Sequence, residues 1–137
     1  MAEKYNPKKI KTFYGLLAGL IAYIVTGLMA LYLLRIAWSG YAAASKNKSY
    51  TFEMKLSRLF IGILAALAAG IISTTLANDR GKTAWLTGVI ICCFAAYIHF
   101  FRVWADYPVW YHFSYLLTII PITGLSYYLM RKGSDLR

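Results

Sequence analysis

Four long apolar runs, separated by short basic segments, dominate the chain and leave few folds open to it. They cover residues 12–38, 56–77, 83–104 and 108–130. About 20 apolar residues in a helix cross the hydrocarbon core of a bilayer. In lipid, every backbone N–H and C=O must be satisfied within its own segment or a closed barrel. The runs therefore predict an all-α, polytopic integral membrane protein, with four transmembrane helices in an antiparallel bundle. One domain spans 1–137, with basic tails at 1–11 and 131–137 and the longest loop at 39–55.

Composition agrees. The chain is 60% hydrophobic and 15% charged, against about 25% charged in soluble domains. Its net charge of +10 sits in clusters between the apolar runs. That is the pattern of loops beside anionic headgroups, so the expected partner is an anionic lipid bilayer, not nucleic acid. The first run is too long for a signal-peptide core and is expected to stay as a span. Cys92 and Cys93 are adjacent within a span and form no Cys-x-x-Cys motif, so they read as apolar fillers.

Small residues recur at helical spacing. Gly15, Gly19 and Gly27 share one face of the first span. Gly62, Ala66, Gly70 and Thr74 recur every four residues in the second. Such faces let helices approach closely, within one chain or across a homo-oligomer. Trp38, Trp85, Trp104 and Trp110 lie near span ends, as membrane-interface anchors do. Thr51 is a candidate helix cap, Gly81 suits a tight turn, and Asp106 with Pro108 suits the start of the fourth helix. Pro121 falls inside that helix and predicts a kink, with Thr118 placed to satisfy the freed Leu117 carbonyl.

Orientation follows from the basic residues. An even number of spans puts both termini on one side, with Lys4, Lys8, Lys9, Lys11, Arg80, Lys82, Arg131, Lys132 and Arg137. The other side holds Arg35, Lys46, Lys48, Lys55, Arg58 and Arg102. Nine against six favours cytoplasmic termini.

The chemistry concentrates in His99–His112, which contains both histidines. His99 lies five residues before Trp104 and His112 four after Pro108, which places both roughly 6–8 Å inside their helix ends. Two axial haem ligands on adjacent helices would have matched depth, with Arg102 beside a propionate. A metal or quinone site is equally compatible; the plainer reading is two interfacial aromatics that hydrogen-bond to headgroups, backbone or water. No resident cofactor or metal is expected, with haem b as the alternative. The span centres carry no Asp, Glu, Lys or Arg, which argues against a proton-coupled exporter. The expected function is that of a non-enzymatic accessory or structural subunit, packing through its small-residue faces on itself or on a membrane-protein partner. The alternatives are a small oligomeric channel or transporter, and a haem- or quinone-binding redox component using His99 and His112.

Residues 60–130 also carry a set of features found together elsewhere. The Gly/Ala-rich second span leads to the Asn78-Asp79-Arg80-Gly81 turn, then Pro108-Val109-Trp110-Tyr111, with Pro121 thirteen residues on and Gly124 after it. In this the chain resembles uncharacterised small four-helix proteins of the bacterial inner membrane. The resemblance implies that architecture and multi-pass placement in the bacterial inner membrane. It implies no activity and no functional residues.

Overall fold

The computed structural model describes residues 7–134, with side chains to Met130. Of the two expected basic tails, Lys4 and Arg137 lie outside the described residues, as do the side chains of Arg131 and Lys132. The described residues are mostly helical, with no strand among them. The elements are α1 (Pro7–Ala37), α2 (Ser39–Asn47), α3 (Phe52–Ala77), α4 (Lys82–Phe101) and α5 (Val109–Ser134), with a 3-10 turn at Trp104–Asp106. All but α2 are long and apolar enough to cross a membrane.

The boundaries move where local chemistry moves them. α1 is already helical at Pro7, the first described residue, ahead of the apolar run. It ends where Trp38 turns extended. Residues 39–55 are mostly helix rather than loop: α2 fills the first half, and Thr51 caps α3 by accepting from the Met54 N–H at 3.5 Å. Asn78, not Gly81, closes α3. It adopts the left-handed conformation and donates to the Thr74 carbonyl at 2.8 Å. Gly81, with φ +89°, instead opens α4, where Asp79 accepts from the Thr83 N–H at 2.9 Å. α4 stops at Phe101, so Trp104 stands in the turn beyond it.

α3 lies against α1, α4 and α5, and its small residues form two rows. One row faces α1. A Cβ on Gly15 would come within 2.7 Å of the Ser73 carbonyl oxygen, and one on Gly19 within 2.9 Å of the Ser73 Cβ. Ala69 and Ala77 continue this row. The other row is the Gly62, Ala66, Gly70, Thr74 series, all buried. Gly62 lies under the Tyr115 ring and Gly70 under Thr123 and Ser126, both on α5. One helix thus holds two partners by removing side-chain bulk on two faces.

Gly27 departs from the packing expected of it. A Cβ there would have its nearest neighbour at 4.0 Å, on Ala65, which is ordinary contact. α1 has moved off α3 at this level, and Gly27 borders a cavity instead.

Two further expectations are corrected. Thr118 donates to the carbonyls of Ser114 (3.0 Å) and Tyr115 (2.9 Å), not to that of Leu117. A helical threonine reaches back three or four residues, not one. Pro121 does lie inside α5. The Asp106 carboxylate does not cap α5; it pairs with Lys48 at 2.8 Å. This ion pair ties the end of α2 to the α4–α5 turn. Tyr50 stacked on Tyr107, with ring centroids 5.3 Å apart, makes a second tie.

The outward surfaces are apolar. Phe13, Leu28, Phe94, Phe101 and Leu117 are each more than 60% exposed. Several interior hydroxyls bond within their own helices: Thr87 donates to the Thr83 carbonyl, Thr123 to Ile119 and Ser126 to Thr123, whereas the buried Thr74 hydroxyl has no partner among the described residues.

Candidate functional site

α4 and α5 bring the two histidines together. His99 sits in the last turn of α4 and His112 in the first turn of α5, and both are buried. Their Nδ1 atoms are 2.8 Å apart, with the rings at 89°. The Nε2 of His112 faces the carbonyl oxygens of Tyr107 (3.1 Å) and Trp104 (3.2 Å).

These contacts fix where the hydrogens lie. Carbonyl oxygens only accept, so His112 Nε2 carries a hydrogen and donates it. With both rings neutral, His112 Nδ1 is then the acceptor, and His99 Nδ1 carries the hydrogen between them. His99 Nε2 is left with a bare lone pair. It makes no hydrogen bond among the described residues.

His99 lines a cavity of about 570 Å³ between α1, α3, α4 and α5. The walls are mainly apolar, with Leu20, Ile24, Ile61, Ile91, Phe94 and Ile98 prominent. Ile24 and Phe94 also lie on the outer surface, so the cavity opens sideways between α1 and α4. Polar groups gather at the end near the α4–α5 turn: Arg58, His99, Tyr107 and Tyr111. His99 packs near-parallel to the rings of both Tyr111 and Tyr115, at 5.9 and 4.6 Å. Tyr115 also meets Tyr23 of α1, hydroxyl to hydroxyl at 2.5 Å.

Arg58 is the charged group of the site. Its Nη1 donates to the Tyr41 hydroxyl at 3.1 Å, and its guanidinium lies over the rings of Tyr50 and Tyr107, 5.4 and 5.3 Å from their centroids. Cation–π contacts of this kind favour a desolvated guanidinium. They supply no negative charge. Burial pushes the Tyr41 and Tyr107 hydroxyls above the ordinary phenol range, outweighing the opposite pull of Arg58, so both stay neutral. Arg58 has no carboxylate partner among the described residues.

Of the residues singled out from sequence, His99 and His112 do converge. Arg102 is exposed at the end of α4 and is not part of the cavity wall. The cation beside His99 is Arg58 instead. Axial ligation of one haem by both histidines would require the His99–His112 bond to break and His112 to turn away from its two carbonyls. No group of three or more His, Cys, Asp or Glu side chains converges among the described residues. Of the four tryptophans, Trp104 stacks on His112 at 4.7 Å, Trp110 meets Phe52 at 5.6 Å, Trp38 packs on Tyr41, and Trp85 lies on Gly124.

Sequence reasoning missed Arg58 and the tyrosines around it. The signal was Thr51: a helix capped there puts Arg58 roughly 9 Å along α3, inside the apolar segment, where an ionisable residue is unusual. A span that begins at Leu56 assigns Arg58 to the loop side instead.

No known protein family, curated protein or solved structure matches the chain.

Proposed function

We propose that the chain is a non-enzymatic, multi-pass protein of the bacterial inner membrane that binds a lipophilic molecule with a polar head. The cavity carries the reading: an apolar chamber with a few converging polar groups at one end is the usual form of a small-molecule site. Its volume falls within the several hundred Å³ typical of such sites. Its sideways opening suits a ligand that arrives through lipid. Membrane insertion is supported by the four long apolar helices and by their exposed apolar flanks. The excess of basic residues on the terminal side supports cytoplasmic termini, which puts the polar end of the cavity on the outer side.

Gly27 supports the binding reading further. Packing does not require a glycine there, and glycine is a poor helix former; what it does is keep the cavity wall thin. Gly27→Leu fills the chamber without a clash at Cβ. Mass spectrometry of protein purified in mild detergent should find a lipophilic molecule retained by the wild type and lost from Gly27→Leu. Equal retention by both, or by neither, counts against the reading.

A further inference from the structure

From the polar pole of this cavity we infer the ligand's class: a long-chain carboxylic acid, with its head between Arg58 and His99 and its chain along the α1–α4 opening. The inference rests on the binding reading above and adds the chemistry of the head.

Two unmet demands define that head. The first is the charge of Arg58, which has the Tyr41 and Tyr111 hydroxyls and two ring faces as partners but no anion among the described residues. A guanidinium held in an apolar chamber favours an acceptor that carries negative charge. The second is the bare Nε2 of His99, which needs a donor. One carboxyl group meets both demands. Its carbonyl oxygen accepts from Arg58, and its O–H donates to His99 Nε2. If the proton crosses, the carboxylate pairs with Arg58, and His99 becomes an imidazolium that donates from both nitrogens. The Nδ1 of that imidazolium still donates to His112, whose own hydrogen stays on the Tyr107 and Trp104 carbonyls. The wiring of the pair therefore accepts either protonation state without a ring turning over.

Other heads fit less well. An oxidised quinone offers only acceptors and leaves His99 unmet. A fatty alcohol offers a donor but no charge for Arg58. A phospholipid supplies the charge, but its phosphodiester has no proton for His99.

The test is a binding titration in nanodiscs of zwitterionic lipid. The probes are palmitic acid, its alcohol, acetate, phosphatidylglycerol and an isoprenoid quinone. Palmitic acid should bind the wild type at least about tenfold more tightly than its alcohol, a difference of one charge-assisted contact, and acetate should not bind. Arg58→Gln should remove that preference, weakening the acid by more than the alcohol. Arg58→Lys, which keeps the charge, should retain most of it. Gly27→Leu should lose both probes. If acid and alcohol bind equally and Arg58→Gln changes neither, the class is wrong while the cavity still binds. Preferential binding of phosphatidylglycerol or of the quinone overturns the class in the same way. If no probe binds the wild type, the binding reading fails as well.

Discussion

His99 and His112 hydrogen-bond to each other through Nδ1, 2.8 Å apart, and the two carbonyls behind His112 set the direction of that bond. Removing His112 leaves buried groups unsatisfied on both sides. His112→Phe should therefore lower unfolding stability by about 1–3 kcal/mol, measured by denaturation of detergent-solubilised protein. His99→Phe strands only the His112 Nδ1 and keeps a ring against Tyr111 and Tyr115, so it should cost less. If His99→Phe is the more damaging, the hydrogen placement is wrong.

The glycines of α1 should separate by position. Gly15→Val drives a side chain into the Ser73 carbonyl and should cost about 1–3 kcal/mol through overpacking. Gly27→Ala meets no such obstacle and gains helix propensity, so it should be neutral or stabilising by up to about 1 kcal/mol. Thermal unfolding of the two variants side by side would decide. Equal damage from both would mean that α1 packs on α3 along its whole length.

Much of the architecture is legible in the amino-acid sequence. The apolar runs correspond to four long helices because their length and uniformity leave little else for such segments to form. The small-residue series on α3 is legible too, as a face. Its division between two partners is not, since spacing along one helix cannot say which neighbour fills which side. The histidine pair is visible as matched depth, but not as a hydrogen bond. Arg58 does not stand out because its meaning depends on where α3 begins, and helix starts are the least certain boundary in an apolar run. Gly27 reads like Gly15 and Gly19 in sequence. The widening gap between α1 and α3, a tertiary property, gives it another use.

The Lys48–Asp106 pair ties α2 to the α4–α5 turn, with the Lys48 side chain 63% exposed and that of Asp106 16% exposed, so water reaches the pair from the lysine side. An exposed pair is worth less than about 1 kcal/mol and is screened by salt. Asp106→Asn should therefore lower stability slightly at low ionic strength and not at high. A large, salt-independent loss would assign Asp106 a buried structural role instead.

Topology can be read from cysteine labelling in intact cells. Ser49→Cys, in the segment between α2 and α3, should react with a membrane-impermeant maleimide added outside. The native Cys93, exposed midway along α4, should not react, because lipid covers it. Labelling at Cys93 and protection at Ser49→Cys would reverse both assignments.

The most direct measurement maps where an alkyl chain lies. A palmitic acid bearing a photoreactive group along its chain is added to membranes containing the protein and irradiated, and the adducts are located by peptide mass spectrometry. Adducts should concentrate on the cavity residues Ile24, Phe94 and Ile98 and should disappear in Gly27→Leu. Adducts spread evenly over outward residues such as Phe13 and Leu117, and unchanged in Gly27→Leu, would contradict a binding cavity.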